Sequence, residues 1–315
     1  MHRGRFAPSP TGDLHFGGAR TALAAWLAAR AARGRFVLRM EDLDGPRVVP
    51  GAAERILADL RALGLDWDEG PDAGGPHAPY RQSERTALYE AAADRLVAGG
   101  RAYPCWCSRK DLASAAAASP SAPHGPADEG PRYPGTCRAL SRERAAELAK
   151  SGRRPSLRFR VDEGPVEFVD GVHGPQRVDV AAATGDFVIR RADGLHAYQL
   201  AVVVDDAAMA ITDVVRGDDL LPSTARQLLL YRALGLRPPR FAHVPLVLGP
   251  DGQRLSKRHG AIAIRDLLAT QSPARLVARL ARSLLDAPIP DEATPGQLID
   301  LFSLARVRPA PATYY

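Results

Sequence analysis

The chain has 315 residues, a formal net charge of +6, 45% hydrophobic and 25% charged side chains, a composition that excludes wholesale disorder, collagen and coiled coil. Its purely apolar runs are short, Leu200 to Val204 among them, and the start Met1-His-Arg-Gly-Arg-Phe6 has no apolar core, so neither a membrane span nor a signal peptide is expected. Three cysteines, all between 105 and 137, argue against a disulfide framework and for a reduced, cytoplasmic chain with a local thiol site.

The length allows about two compact units. Lysine occurs only at 110, 150 and 257 among 42 basic residues, so an ammonium placed where chemistry would want one is informative. The modest positive charge permits an anionic partner such as a nucleotide or nucleic acid, but on charge alone a slightly basic surface is the simpler reading.

The chain opens as strand, loop, helix, strand. Arg5-Phe6-Ala7 is short and extended, and Pro8-Ser-Pro-Thr-Gly12 must be a loop because two prolines and a glycine continue neither element. A helix is expected from Ala19 to Arg33 with Gly34 as its C-cap. Arg35 to Met40 then reads as a buried strand. A glycine-rich helix entry between two strands is the beginning of a parallel α/β sheet. Further helices are expected over Gly51 to Leu63 and Glu84 to Ala98, the second capped by Ser83. Ser114 to Pro131, rich in Ala, Ser, Pro and Gly, reads as a flexible loop. Short strands are expected at Leu157 to Arg160, Val166 to Val169 and Phe187 to Arg190. Leu200 to Val204, bounded by Asp205 and Asp206, reads as a buried parallel strand ending at a functional edge. Leu220 to Leu234 is helical, Val244 to Leu248 another buried strand, and the remainder helical before a Pro-rich tail.

Five motifs can carry chemistry. Pro8-Ser-Pro-Thr-Gly-Asp-Leu-His15-Phe-Gly17-Gly18 is a glycine-rich helix entry that offers backbone N–H groups to a phosphate, with His15 as an added donor. Gly249-Pro-Asp-Gly-Gln-Arg-Leu-Ser256-Lys257-Arg258-His-Gly260 is a second glycine-rich loop; its lysine could close onto a developing pyrophosphate, or it is a solvated basic turn. Glu41-Asp-Leu-Asp44 lies at the end of a strand, where a carboxylate can receive an amino group or simply cap the next helix. Cys105-Trp-Cys107 with Tyr133-Pro-Gly-Thr-Cys137 gathers three thiols that invite zinc, with His124 and Tyr133 both open as the fourth ligand. Tyr198 and Val215-Arg-Gly-Asp-Asp219 bring a guanidinium, Arg216, suited to a carboxylate, and Arg5 could add a second.

Taken together, Arg5-Phe-Ala-Pro-Ser-Pro-Thr-Gly with His15-Phe-Gly-Gly, Arg254-Leu-Ser-Lys-Arg258, Tyr198, Asp205-Asp206 and Arg216-Gly-Asp resemble, in order and spacing, the class I aminoacyl-tRNA synthetases of the glutamyl group. Only roughly fifty residues follow the Lys257 loop, too few for that group's anticodon-binding region. With the Cys-x-Cys…Tyr-x-x-x-Cys pattern, this is similar to the glutamyl-Q tRNA(Asp) synthetases. The resemblance implies a Rossmann-type doubly wound parallel sheet: catalytic halves at 1–98 and 161–248, a zinc-bearing insertion at 99–160, and a signature loop with a short helical end at 249–315. It implies a ligase that activates L-glutamate with ATP and Mg²⁺ without tRNA, then transfers it to queuosine in the anticodon loop of tRNA(Asp), acting as a monomer. It assigns Arg5, Phe6, Ala7, Pro8, Ser9, Glu41, Tyr198 and Arg216 to glutamate. His15, Gly17, Gly18, Ser256 and Lys257 fall to ATP, with His15 and Lys257 catalytic. Cys105, Cys107, Tyr133 and Cys137 fall to one structural zinc. The rival expectations are a truncated glutamyl-tRNA synthetase charging the 3′ end of tRNA(Glu) and a non-catalytic zinc protein that binds RNA.

Overall fold

A computed structural model of the chain describes residues 1–108, 110–113, 132–249 and 262–313. The opening is β1 (Arg3–Phe6), α1 (Phe16–Ala31) and β2 (Arg35–Leu38), with β1 and β2 parallel. Helices α2 (Ala52–Ala62) and α3 (Thr86–Ala98) follow. Then come β3 (Ala102–Cys105), α4 (Arg142–Lys150), β4 (Ser156–Phe159), β5 (Val166–Asp170), β6 (Gly174–Val178) and the single turn α5 (Val180–Ala183). Next are β7 (Phe187–Arg190), α6 (Tyr198–Ala208), β8 (Asp213–Gly217), α7 (Leu221–Ala233) and β9 (Arg240–Val244). The chain closes with β10 (Val247–Leu248), α8 (Ile264–Leu268), α9 (Pro273–Leu284) and β11 (Ala312–Thr313).

The main sheet runs β2-β1-β8-β9-β5-β6. Its first five strands are parallel and β6 is antiparallel to β5. Successive side chains of β2 point to opposite faces, which separates two cores. Phe36 and Leu38 pack with α1, α2 and α9, whereas Val37 packs with α3, α6 and α7. Helices on both faces of a largely parallel sheet make this the expected doubly wound fold. Helix α1 is alanine-rich and buried on most of its circumference, as befits a helix covered on several sides. Because β1 is flanked by β2 on one side and β8 on the other, the crossovers diverge there. That switch point is where an open α/β sheet leaves a crevice. A separate antiparallel sheet, β3-β4-β7, carries Cys105 at its edge.

Several expectations change. Leu200 to Val204 is not a strand but the middle of α6. A helix sandwiched on all sides is apolar without interruption, so its sequence loses the helical period that would have distinguished it from a buried strand. The strand expected at Val244 to Leu248 is β9, ending at Val244, and a separate two-residue β10; Pro245 lies between them. Helix α3 starts at Thr86, not at a Ser83 cap. Ser83 sits in the preceding 3-10 turn, where its amide and hydroxyl both donate to Asp42 at 2.8 Å. After α1 the left-handed residue is Arg33 (φ 49°), not Gly34. Glycine is needed at 34 because a Cβ there would strike the His2 carbonyl. Beyond α9 the chain forms 3-10 turns at Gly296–Leu301 and Leu304–Arg306 and no longer helix. The expected loop Ser114 to Pro131 lies outside the described residues.

Candidate active site

A cavity of about 1240 Å³ opens at the switch point. Its floor is the end of β1 and the turn after it, Arg5 through Ser9, and its walls include His15, Gly17, Gly18, Glu41, Tyr198 and Arg216. Side chains spread over more than two hundred residues of sequence thus meet at the carboxyl ends of β1, β2 and β8, and at the start of α6.

Underneath lies a buried ionic cluster centred on Arg39, which has no exposed side-chain area. Its guanidinium donates to Asp206 at 2.7 Å and to Glu41 at 3.1 Å, and lies 3.6 Å from Asp205. Arg5 adds a contact to Asp206 at 3.5 Å. Asp205 in turn accepts from Arg85 at 2.6 Å, Gln82 at 2.7 Å and Tyr89 at 2.9 Å. Burial raises the Asp206 carboxyl, but Arg39 and Arg5 outweigh it and hold the group below its ordinary value. For Glu41 the balance tips the other way: burial exceeds the pull of the same two arginines, and the carboxyl is raised. An incoming ammonium would relieve that burial cost, as expected of a receptor for a positive group.

Arg216 stands at the end of β8 opposite His243 of β9. Its Nε donates to His243 Nε2 at 3.0 Å, and its Nη2 donates to Thr224 Oγ1 at 2.9 Å and the Leu220 carbonyl at 3.3 Å. The remaining nitrogen, Nη1, is buried with no hydrogen-bond partner among the described residues. His243 Nδ1 meets Asp170 Oδ2 at 2.6 Å, and Asp170 also accepts from the amides of Val172 and His173. Arg216 Nε can only donate, so His243 Nε2 must accept, which assigns the proton to Nδ1. Burial above all, with Arg216 adding to it, lowers His243 to about 4 despite Asp170. Asp170 is lowered to about 2: its bonds from His243 and the two amides overcome its burial.

The other end of the cavity is the start of α1. The His15 side chain at the N-cap makes no capping bond and the first turn holds no acid, a positive helix end of the kind that suits an anion. A Cβ on Gly17 would meet nothing within 4 Å. The segment following the second glycine-rich loop docks here too: Ala263 bridges to His15, and the Ile264 amide donates to the Leu14 carbonyl at 2.8 Å. Ser256 and Lys257 themselves lie outside the described residues, as does His124.

Away from the cavity floor, the sulfurs of Cys105, Cys107 and Cys137 lie within 4.8 Å of one another. The Tyr133 hydroxyl is 3.4 Å from Cys105 Sγ and accepts from the Cys137 amide at 2.7 Å. Arg158 donates to Cys105 Sγ at 3.4 Å and stacks over the Tyr133 ring. Three thiols and a phenol oxygen are a donor set that fits a tetrahedral soft cation. Burial and the neighbouring Cys105 raise the Cys107 thiol; a bound cation would favour the thiolates instead. Among the described residues no helix is long and apolar enough to cross a membrane.

Sequence reasoning missed Arg39, Asp170, Thr224 and His243. Arg39 sat inside a stretch read simply as a strand. The other three become neighbours of Arg216 only through helix packing and strand order, which no local motif records.

The family of class I tRNA synthetases for E and Q, catalytic domain, matches residues 2–282, and the chain belongs to it. Within that family it is 56% identical over 311 residues to the glutamyl-Q tRNA(Asp) synthetase of Symbiobacterium thermophilum, covering 98% of this chain and 94% of that one. It is 47% identical to the glutamate–tRNA ligase of Heliobacterium modesticaldum, covering 99% of this chain and 62% of that ligase. The crystal structure of a glutamate–tRNA synthetase from Elizabethkingia anophelis superposes with a TM-score of 0.87 at 31% identity, over 100% of this chain and 68% of that one.

Proposed function

We propose that this protein activates L-glutamate with ATP in the absence of tRNA, and then transfers the glutamyl group to queuosine in the anticodon loop of tRNA(Asp). The observation that carries the first half is the single cavity that joins Arg5, Glu41, Tyr198 and Arg216 to the glycine-rich start of α1. What supports the second half is the kinship: 56% identity to the glutamyl-Q tRNA(Asp) synthetase of Symbiobacterium thermophilum over 94% of its length.

In this reading Glu41 receives the ammonium of glutamate, and Arg5 and Arg216 pair with its carboxylates. Phe6, Ala7, Pro8 and Ser9 shape the walls around it, with Tyr198 opposite. A carboxylate oxygen of glutamate attacks the α-phosphorus of ATP; the α–β P–O bond breaks and pyrophosphate leaves with its electron pair. No general base is needed, because the nucleophile is already ionised at neutral pH. His15, Gly17 and Gly18 steady the phosphates, Mg²⁺ accompanies them, and Ser256 and Lys257 neutralise the charge that builds on the leaving group. A hydroxyl of queuosine then attacks the acyl carbon, an ester forms and AMP departs. Cys105, Cys107, Tyr133 and Cys137 hold one zinc, which ties its module together. The chain works as a cytoplasmic monomer.

The test is pyrophosphate exchange with purified protein, ATP and glutamate. Exchange without tRNA is the expected result, and its absence sinks the activation step. For the transfer step, labelled glutamate is offered to tRNA(Asp) with queuosine, to tRNA(Asp) without it, and to tRNA lacking the terminal adenosine. Labelling that needs queuosine and ignores the missing adenosine is expected. Dependence on the adenosine would mean 3′-end charging, the reading that the similarity to glutamate–tRNA ligases favours. RNA binding with no exchange would mean a non-catalytic protein.

A further inference from the structure

From the row Arg216–His243–Asp170 across three adjacent strands, we infer that His243 and Asp170 are positioning residues that fix the Arg216 guanidinium, leaving its Nη1 uncommitted for a substrate carboxylate in the cavity that Arg216 lines. The inference rests on the reading of Arg216 given under Proposed function and deepens it. The strand order β8-β9-β5 sets the three residues side by side. None of them has more than 4% of its surface exposed, so no water competes for their bonds.

Each link has one workable polarity. Arg216 Nε can only donate, so His243 Nε2 must be bare; Nδ1 then carries the proton, and Asp170 must be the ionised acceptor. Thr224 supports the same state, since its oxygen accepts from Arg216 Nη2 and lies 3.2 Å from His243 Nε2. Two of the three guanidinium nitrogens are thereby committed to the protein. The third, Nη1, is a buried donor with no hydrogen-bond partner among the described residues. A free guanidinium on a flexible stem would have to be ordered when substrate arrives; here the ordering is already built in, and binding energy is not spent on it. His243 and Asp170 are absent from the cavity lining, so they act through Arg216 and not on the substrate.

The tests replace the middle and the far end of the row. His243→Leu removes the acceptor for Arg216 Nε. His243→Gln keeps an oxygen for that bond and an amide for Asp170. Asp170→Asn can donate to His243 and so favour the wrong tautomer, with a proton facing Arg216 Nε–H. Glutamate and ATP KM values are read by pyrophosphate exchange, glutamate binding by calorimetry, and folding by thermal melting. His243→Leu and Asp170→Asn are expected to weaken glutamate binding about 10- to 100-fold, the loss of a hydrogen bond to a charged group, while the ATP KM stays within about twofold and His243→Gln restores most of the loss. If His243→Leu does not fold, Asp170→Asn against His243→Gln gives the same comparison. Unchanged glutamate affinity in folded variants overturns the inference, and so does a parallel loss of glutamate affinity, ATP affinity and melting temperature, which would mean a purely structural role. Arg216→Ala separates the two levels: if it leaves glutamate binding intact, the reading of Arg216 itself is wrong. If it abolishes binding while the His243 and Asp170 variants bind normally, only the positioning role fails.

Discussion

The parallel sheet and the cysteine module solve the same problem, holding polar groups still, by different means. Beneath the cavity, Arg5, Arg39 and Arg85 are fixed against Glu41, Asp205 and Asp206 between two extensive apolar cores, three cations facing three carboxylates. The cysteine end of β3 has a small buried cluster of its own, Tyr103, Cys105, Tyr133 and Cys137, three of them candidate metal donors, while Ala102, Leu157 and Phe159 of β3 and β4 join the second main core. One region is positioned by burial and can tolerate ionic groups because of it. The thiol cluster has little apolar area of its own, the usual circumstance in which a small unit relies on a metal.

Removing zinc breaks this comparison hardest. With the metal bound as proposed, chelation or Cys105→Ser should abolish protection of the Tyr133 and Cys137 amides, since zinc binding contributes on the order of 10 kcal/mol to small metal domains, while β4, whose Leu157 and Phe159 pack in the second main core, should keep its protection. Protection of β1 and β8 should remain. Elemental analysis should give one zinc per chain, and a metal-free chain with an ordered module would show that the thiols are merely packed. Next comes Arg39→Met, which strands three carboxylates, Glu41, Asp205 and Asp206, without their shared cation. Urea unfolding should show a loss of about 3–5 kcal/mol, with zinc content unchanged.

The third prediction concerns acid. His243 is lowered from 6.5 to about 4, so its neutral form stabilises the fold fully above pH 6.5. That stability is lost as pH falls from 6.5 towards 4, by on the order of 3 kcal/mol. Asp170, lowered from 3.8 to about 2, contributes above 3.8 and loses its share only below that. The drop in stability between pH 7 and 4.5 should therefore be smaller in His243→Gln; equal drops would contradict this account. The smallest effect compares two helix caps. Ser272 accepts from the Arg275 amide at the start of α9, and Ser141 from the Arg144 amide at the start of α4, each at 3.2 Å. Alanine at either should cost about 1 kcal/mol. At 272 the loss should appear in global unfolding, because α9 packs into the main core, and at 141 only in exchange within α4.

Much of this was legible in the sequence, for a stateable reason. The first strand, the proline-rich turn and the glycine entry to α1 are contiguous, so local chemistry declares them, and all of Arg5 to Ser9, His15, Gly17 and Gly18 line the cavity. The cysteines are likewise near one another along the chain. What escaped is non-local. In sequence Asp205 and Asp206 mark the edge of an expected strand, whereas they are the last buried residues of α6, admitted to the interior by Arg39, Arg85 and Arg5. Asp170, Arg216 and His243 stand on three strands whose order cannot be read from any one of them. A lone histidine in Arg-Phe-Ala-His-Val looks like core, and geometrically it is.

The row across β8, β9 and β5 ties ligand affinity to strand register. Slipping β9 by one residue against β8 would turn His243 to the opposite face of the sheet and leave Arg216 without its acceptor. Only the correctly paired sheet presents a fixed guanidinium, so a ligand held by Arg216 binds that pairing and not the slipped or opened ones. By mass action such a ligand suppresses local opening of the central strands in proportion to its saturation. Occupancy of the pocket and integrity of the sheet are, for these three strands, one equilibrium.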